Sequence, residues 1–505
     1  MSGFKIKFVF LQHIKDIKMK YPNIIGREAE IATLERLYKS KKSEFVAIYG
    51  RRRIGKSYLV SEVYGSKIVF SAVGTYLKNG DKNYDTYRKL QLDHFYDSLL
   101  LSGLDATTSE KPSCWREAFL LLRKLLESIR SRRKVILIDE LPWLAGPQSS
   151  EMISELGYFW NSWADSQRNI VLVVCGSATS WMLDNVIRDY GGLHGRLTET
   201  IKLAPFTLAE CQKYYRRNGF RLSRYEMCIC YMALGGVPFY LDKLRNSQTI
   251  TENIDRIFFA DEKIHQEFVD VYAGLYASKE RYVDIVKALG SQFYGMTQKE
   301  IGAAIDVKSG GTLTKLLENL IESDIIRTYP RYGKERVETV YQLIDFFSLF
   351  YLRFIQGGQA KKGVWNSIHR TPTFYTWAGD TFELLCIEHL PRIQDSLRIA
   401  SIDSNYCWNG KSPDGRGAQI DLLLESKADR TDYLCEMKFT GTKYAITKTD
   451  EENFLNKIEA FVASKMHNKT HSIQLVMVTT MGIARGEHAS IVNQSITLDD
   501  LFMER

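Results

Sequence analysis

Residues 45–60, FVAIYGRRRIGKSYLV, decide the fold of the first part of this 505-residue chain. Phe45–Tyr49 is short and apolar, which is typical of a buried strand, and a helical pattern begins at Tyr58. Between them lies Gly50-x-x-x-x-Gly55-Lys56-Ser57, the Walker A spacing in its required strand–loop–helix context. Glycines let backbone N–H groups face a phosphate, and the helix N-terminus favours an anion. The stretch therefore predicts a phosphate-binding loop on a parallel α/β sheet.

Within this loop, each residue type suits one part of a nucleotide. We expect Lys56 to reach the β- and γ-phosphates and Ser57 to ligate Mg²⁺. The other predicted nucleotide-binding residues of this segment are Gly50, Arg51, Arg52, Arg53, Ile54, Gly55 and Tyr58.

A second strand, in KVILIDELPWL, supplies the acidic partners of the loop. Val135–Ile138 is a β-branched run typical of a buried parallel strand, and Asp139 stands at its carboxyl end, where open α/β sheets bind ligands. Asp139 would hold Mg²⁺ through water, and Glu140 would polarise the attacking water as a general base. With the first motif, this pair predicts ATP or GTP binding.

Two further residues have two open interpretations each. Ser177 follows the apolar strand in NIVLVVCGSATSWM and could sense the γ-phosphate or simply cap a helix. Arg196, in a glycine-flanked loop, could stabilise the transferring phosphate as an arginine finger or be a surface arginine.

Five motifs in order resemble the archaeal-type ATPase family, of the STAND group within the AAA+-related P-loop NTPases. They are NIIGREAEIATLERL, LIDELPWL, VCGSATSWM, GRLTETIKLAPFT and ALGGVPFYLDKL. The resemblance covers residues 24–345 and implies a RecA-like parallel sheet, a helical lid and a winged helix. It also implies an adenine nucleotide, and it places Gly235, Gly236 and Pro238 in a lid motif near that nucleotide.

The segments after the ATPase motifs predict the lid and the winged helix. Residues 206–275 have helical periodicity, and residues 276–345 read as helices followed by a β-hairpin. The recognition helix, Thr312–Ser323, carries Lys315 against Glu318 and Glu322, which disfavours reading of bases. The wing is better suited to contact the DNA backbone, because it carries Arg331, Lys334 and Arg336.

Three segments near the C-terminus form a second constellation. Glu383 lies on an amphipathic helix, Asp421 on a strand, and Glu436-x-Lys438 on the next strand. Adjacent antiparallel strands could place Asp421 and Glu436 side by side, where paired carboxylates bind Mg²⁺. Lys438 shares a face with Glu436 because strand side chains alternate, and would position or help deprotonate a water that attacks a phosphodiester.

This order resembles the PD-(D/E)xK, or restriction-endonuclease-like, superfamily over residues 370–480. Ile420-Asp421 replaces the superfamily's Pro-Asp. The resemblance implies metal-dependent cleavage by Glu383, Asp421, Glu436 and Lys438; a degenerate nuclease fold kept for binding or assembly is the alternative.

Composition limits the class of protein but does not identify a binding partner. Hydrophobic residues make up 45% and charged residues 25%, which excludes a disordered or collagen-like chain. The 68 Lys and Arg exceed the 60 Asp and Glu by 8, which permits contact with DNA without requiring it. We interpret the 8 cysteines as reduced core residues of a cytoplasmic protein, and no apolar run is long enough to cross a membrane.

The sequence thus predicts an ATP- and Mg²⁺-dependent ATPase coupled to a DNA-directed nuclease, with a role in defence by analogy and homo-oligomer or protein partners left open. The alternative is a regulatory ATPase switch with an inactive nuclease fold. The predicted divisions are an extension (1–23), the ATPase core (24–205), the lid (206–275), the winged helix (276–345), a linker helix (346–369) and the nuclease-like domain (370–505).

Overall fold

The computed structural model describes residues 19–76, 84–146, 150–188, 192–260, 263–273, 279–332, 337–357 and 361–504. It divides into two units, one consisting mainly of the residues up to Ala204 and the other mainly of those from Pro205 onward. Residues 24–204 of the predicted ATPase core lie in the first unit, and the predicted boundaries of the core stay a prediction. The predicted lid, winged helix and nuclease-like domain belong together to the second unit. Most of the predicted N-terminal extension, residues 1–18, lies outside the described residues, as do Lys334 and Arg336 of the wing.

In the described part of the first unit, five parallel strands form one sheet in the order β2-β3-β4-β1-β5. Alternate residues of β1 enter two different cores, with Phe45 and Ala47 on one face and Val46 and Ile48 on the other. Both faces are buried, which explains the continuous apolar runs seen in the sequence. The predicted parallel α/β fold is therefore confirmed. The strands are β1 (Glu44–Tyr49), β2 (Ile68–Val73), β3 (Lys134–Asp139), β4 (Ile170–Gly176) and β5 (Glu199–Lys202).

Helices cover the two faces of this sheet, and the sheet order brings the predicted motifs to one edge. The carboxyl ends of β3, β4 and β1 lie side by side, so the phosphate loop, Asp139 and Ser177 follow neighbouring strands. The helices are Glu28–Lys39, Lys56–Tyr64, Tyr84–Leu101, Trp115–Ser128, Leu141–Ala145, Ser150–Phe159 and Thr179–Met182.

The second unit begins with helices over the predicted lid. Several of its helices start with a capping box, in which a Ser or Thr and the Glu three residues later satisfy each other's backbone N–H groups, as at Thr207 and Ser223. The helices before residue 275 are Leu208–Arg217, Arg224–Leu234, Pro238–Leu241, Ile250–Phe259 and Lys263–Ala273.

A helix–hairpin module, Lys279–Leu343, occupies the region predicted as a winged helix. Its described strands are antiparallel in the order β6-β8-β7: β6 (Met296–Thr297), β7 (Ile326–Tyr332) and β8 (Val337–Leu343). Its helices are Lys279–Gly290, Gln298–Ala304 and Gly311–Glu322, and the helices Phe346–Phe354 and Val364–Ile368 follow it.

A mixed sheet forms the C-terminal part of the second unit, in the order β13-β12-β11-β10-β9 among the described strands. β9, β10 and β11 are antiparallel, whereas β11, β12 and β13 are parallel. The strands are β9 (Ser404–Lys411), β10 (Gly417–Ser426), β11 (Thr431–Lys438), β12 (Ser472–Thr479) and β13 (Gln494–Thr497); the helices are Pro372–Glu388, Leu390–Leu397, Lys448–Val462 and Leu498–Leu501.

Two composition-based expectations can be compared with the structure. All eight cysteines are free thiols, but Cys114 and Cys407 are only partly buried and do not belong to the core that was predicted for them. Among the described helices, none has both the length and the apolar character needed to cross a bilayer.

His389 is a fully neutral histidine in the core of the second unit. Its Nε2 accepts a hydrogen bond from the Leu208 backbone N–H at 3.1 Å, so the ring proton is on Nδ1, which donates to the Leu385 carbonyl at 2.9 Å. Burial lowers the pKa of His389 to about 4. The histidine thus joins the start of the predicted lid to the helix that carries Glu383.

We expect this histidine to make the second unit sensitive to mild acid. The folded state binds fewer protons than the unfolded state, so the stabilisation is complete above pH 6.5 and is lost as the pH falls towards 4, by up to about 3 kcal/mol. The measurement is the difference in urea unfolding free energy between the wild type and His389→Gln from pH 7.5 to 4.5. A difference that stays constant with pH would contradict the assignment.

Candidate functional site

The phosphate-binding loop has the backbone that its glycines predict. Gly50 and Gly55 have φ values of 139° and 88°, which L side chains rarely adopt. A Cβ on Gly50 would lie 2.3 Å from the Leu203 carbonyl oxygen, so the loop can pass this close to β5 only with glycine at this position. The loop then leads directly into the helix Lys56–Tyr64, whose N-terminus favours an anion.

Lys56 is buried at the centre of this loop. Its Nζ donates to the carbonyl oxygens of Gly50 and Arg51, both at 3.0 Å, and the residue is only 5% exposed. Burial lowers the pKa of Lys56, although the charges of Glu140 and Asp139 oppose this shift. A desolvated ammonium group at the N-terminus of a helix is chemically suited to a phosphate.

Ser57 and Asp139 meet where the sequence predicts Mg²⁺. The Ser57 hydroxyl donates to Asp139 Oδ2 at 2.5 Å, and Asp139 Oδ1 accepts the Glu140 backbone N–H at 2.9 Å. Two hard oxygen ligands thus lie in direct contact, and this donor set fits Mg²⁺. The structure therefore brings Ser57 of the first motif and Asp139 of the second motif into contact.

Glu140 has an unusual backbone conformation, and its side chain is bonded to the residue that follows the neighbouring strand β4. Its φ and ψ are 48° and 47°, and its Oε2 accepts hydrogen bonds from the Ser177 hydroxyl at 2.8 Å and the Ser177 N–H at 3.2 Å. The sequence leaves two interpretations of Ser177 open, as a sensor of the γ-phosphate or as a helix cap. In the structure its hydroxyl donates to Glu140, so Ser177 is placed to orient that carboxylate, and its role as a phosphate sensor stays a prediction.

We expect Ser177→Ala to lower kcat for ATP hydrolysis about five- to tenfold with little change in KM, because one hydrogen bond of about 1 kcal/mol orients the base. Steady-state kinetics would measure this, with Ser177→Thr expected to restore part of the rate. Ser180→Ala is the matched control, since the Ser180 hydroxyl has no hydrogen-bond partner. An equal rise in KM without loss of kcat would contradict a positioning role.

The remaining predicted nucleotide residues have varied environments. Ile54 and Arg51 are buried, and Tyr58 is exposed with its hydroxyl 3.1 Å from the Asn23 carbonyl. Arg196 is exposed in the turn before β5, where its role as an arginine finger stays a prediction. Pro238 opens a short helix of the second unit, and its contact with nucleotide also stays a prediction.

The second constellation lies on β10 and β11. Leu422 pairs with Cys435, so Asp421 and Glu436 occupy neighbouring positions on the two antiparallel strands. Asp421 Oδ2 also accepts the Met437 backbone N–H at 3.2 Å, and both carboxylates are at least nine-tenths buried. The strand pairing expected from the sequence thus brings the two acidic residues together.

Glu436 is neutralised by two lysines, one of which sequence reasoning missed. Its Oε1 accepts from Lys438 Nζ at 2.6 Å and its Oε2 from Lys457 Nζ at 2.5 Å. Although burial opposes it, the charge of Glu436 raises the pKa of Lys438. Lys457 lies three residues after buried Phe454 and four before buried Phe461, so helical spacing alone places it on the inward face.

Glu383 lies close enough to these residues to share their electrostatics. Burial first, and then the charges of Asp421, Asp380 and Glu436, raise the pKa of Glu383. Burial and the charge of Glu436 likewise raise the pKa of Asp421. The helix that carries Glu383 packs against β11, yet within the described ranges no three His, Cys, Asp or Glu side chains are arranged to hold a metal ion.

Comparison with known proteins agrees with the nucleotide site. Residues 24–244 match the family described as an ATPase domain predominantly from Archaea, so the chain carries an archaeal-type ATPase domain. Over 83% of its length the chain is also 24% identical to an uncharacterized protein of Methanocaldococcus jannaschii, of which it covers 88%.

Solved structures with some likeness include two archaeal proteins. The Walker-type ATPase of Pyrococcus abyssi is 20% identical, with 66% of this chain and 97% of that chain covered and a TM-score of 0.45. The ORC2 protein of Aeropyrum pernix, solved as ADPNP–ADP complexes, is 14% identical, with 66% and 96% covered and a TM-score of 0.37.

Proposed function

We propose that the protein hydrolyses ATP in its first unit and, under control of the nucleotide, cleaves DNA with Mg²⁺ at the carboxylates of its second unit. The observation that carries the nuclease half is the pairing of Asp421 with Glu436 on neighbouring strands, where Lys438 donates to Glu436. Fusion of the two activities suits a defence role by analogy with other fused effectors.

In the ATPase half, each residue has a defined task. Loop amides and Lys56 bind the phosphates, and Ser57 with Asp139 would hold Mg²⁺, which neutralises charge on the phosphate oxygens when bound. Glu140, oriented by Ser177, accepts the proton of the water that attacks the γ-phosphate.

In the nuclease half, Asp421 and Glu436 would hold Mg²⁺, which polarises a phosphodiester oxygen when bound. Binding would require Glu436 to exchange one of its two lysine contacts for the ion. Lys438 is held as an ammonium ion by Glu436. Its task is therefore to orient the attacking water as a hydrogen-bond donor, rather than to deprotonate it.

A second candidate function is a regulatory ATPase whose C-terminal fold is catalytically inert. It is favoured by the occupation of both Glu436 oxygens by lysines and by the lack of a three-ligand metal set among the described residues. This candidate predicts ATP turnover without any cleavage of nucleic acid.

One set of assays with the purified full chain separates the two. ATP turnover is measured with Mg²⁺, and supercoiled plasmid, linear duplex and single-stranded DNA are incubated with Mg²⁺ or Mn²⁺, with and without ATP. Metal-dependent DNA cleavage that changes with ATP supports the coupled enzyme. Turnover of ATP with intact DNA under every condition supports the inert alternative.

A further inference from the structure

The aromatic residue that follows β11 joins the predicted nuclease motif to a helix of the predicted lid. Phe439 comes directly after Lys438, and its ring stacks on that of Tyr225, with the ring centroids 5.1 Å apart and the planes at 26°. Tyr225 lies in the first turn of the helix Arg224–Leu234, which we call the lid helix. A Cβ on Gly441 would lie 3.8 Å from the Tyr225 hydroxyl, so this side chain also covers the residues after Phe439.

The Phe439 ring also contacts the helix that carries Glu383. Its centroid lies 5.8 Å from that of Phe382 and 6.2 Å from that of Phe374, both in edge-to-face arrangements. Phe439 is only 8% exposed, and such aromatic pairs have preferred geometries. One buried ring thus contacts the lid helix and the neighbour of Glu383, and it is itself the neighbour of Lys438.

Further contacts join the lid helix to the C-terminal part of the second unit. Arg224 Nη1 lies 2.7 Å from Asp499 Oδ1, and the guanidinium group lies over the Phe502 ring at 5.3 Å. Two turns along the helix, the Tyr231 ring makes an edge-to-face contact with His389 at 5.4 Å. The attachment therefore extends along the lid helix and does not depend on one side chain.

The other end of the lid helix is joined to the chain that leaves the sheet of the phosphate loop. The Leu203 N–H, just after β5, donates to the carbonyl of Tyr49, the residue before the loop, at 2.8 Å. Three residues later, the Phe206 N–H donates to the Gly236 carbonyl at 2.6 Å. A Cβ on Gly236 would lie 1.8 Å from the Phe206 carbonyl oxygen, so only glycine allows this approach. Two residues of chain therefore separate the backbone bonded beside the phosphate loop from the backbone bonded at the end of the lid helix.

We propose that the lid helix transmits the nucleotide state of the phosphate loop to the nuclease site, with the stack of Tyr225 on Phe439 as its last contact before Lys438. This inference rests on the proposed function and specifies how the nuclease half is regulated. Coupling needs connected elements that a ligand can bias, and Leu203, Phe206, the lid helix and Phe439 are connected in this way. Tyr225 is thus a positioning residue, which acts on the attacking water only through the orientation of Lys438.

Hydrogen–deuterium exchange of the full chain tests this transmission without requiring cleavage. Exchange is compared with and without a non-hydrolysable ATP analogue and Mg²⁺. In the wild type, we expect the analogue to slow exchange in the loop, residues 50–57, and to change exchange in residues 436–441. The Thr440 N–H, bonded to Thr480 Oγ1 at 2.8 Å, reports on the end of β11.

Tyr225→Leu keeps an apolar side chain but removes the ring. It should keep the response of the loop and lose the response of residues 436–441, whereas Tyr225→Phe should keep both responses. Phe220→Leu is the matched control, because it removes another ring of the predicted lid, one that packs on Tyr215 at 5.7 Å. We expect this control to respond as the wild type does.

Each outcome has a distinct meaning. A loop response without a response of residues 436–441 in the wild type, or an undiminished response in Tyr225→Leu, would overturn the inference. No response of the loop itself would refute the ATP half of the proposed function, and the inference with it. Failure of the nuclease half is a separate result, in which residues 436–441 respond through Tyr225 but no DNA is cleaved.

Where the wild type cleaves DNA, the kinetic constants give a second measurement. In Tyr225→Leu the ratio of kcat with ATP to kcat without ATP should move towards one by about two- to tenfold, which is the range set by the strength of an aromatic pair. KM for DNA should stay unchanged, because Tyr225 does not touch the substrate. A loss of kcat by the same factor with and without ATP would show a merely structural role and overturn the inference.

Discussion

A Lys56→Ala variant is expected to lose at least about 100-fold in ATP turnover. Lys56 is buried in the phosphate loop, with its Nζ 3.0 Å from the carbonyl oxygens of Gly50 and Arg51. Alanine leaves the loop backbone in place but removes the cation that would balance charge on the transferring phosphate. Release of inorganic phosphate from ATP at saturating Mg²⁺ measures the loss.

Lys67→Ala is the matched control for this experiment. Lys67 follows the same helix and also donates to a backbone carbonyl, that of Val63 at 3.4 Å, but it lies at the other end of that helix from the loop. We expect the control to hydrolyse ATP at the wild-type rate. Retained turnover in Lys56→Ala, or an equal loss in the control, would refute the assignment of the ATP site.

The ATP site was predictable because its signal is local. The loop glycines, Lys56 and Ser57 are fixed by spacing within one strand–loop–helix segment, and Asp139 by the end of one strand. The pairing of Ser177 with Glu140 was not predictable, because it depends on β3 and β4 being neighbours. The left-handed backbone conformation of Glu140 is likewise set by tertiary context.

The carboxylate site likewise combines residues whose positions follow from local sequence with one whose position depends on tertiary packing. Asp421 and Glu436 were placed by the hairpin, since antiparallel strands joined by a short turn have a defined register. Lys457 comes from a helix 21 residues beyond Glu436. Helical spacing places Lys457 on the inward face of its helix, but its contact with Glu436 depends on how that helix packs against the sheet.

Asp421→Asn is expected to abolish DNA cleavage while making the folded chain more stable. The change keeps the side-chain volume and an oxygen that can accept the Met437 N–H. It removes one of the two strand carboxylates proposed to hold Mg²⁺, whose charge stabilisation of several kcal/mol corresponds to a rate loss of about 100- to 1,000-fold or more. Cleavage of single-stranded and plasmid DNA with Mg²⁺ measures the first effect.

The rise in stability follows from the electrostatics of the metal-free site. Burial and the charge of Glu436 raise the pKa of Asp421, so near neutral pH its ionised form costs folding free energy that asparagine does not. The melting temperature without divalent ions should therefore increase in Asp421→Asn.

Glu425→Gln, on the same strand and bonded to Ser404 at 2.7 Å, is the control and should cleave normally without gaining stability. Lower stability with unchanged cleavage in Asp421→Asn would identify Asp421 as a structural residue.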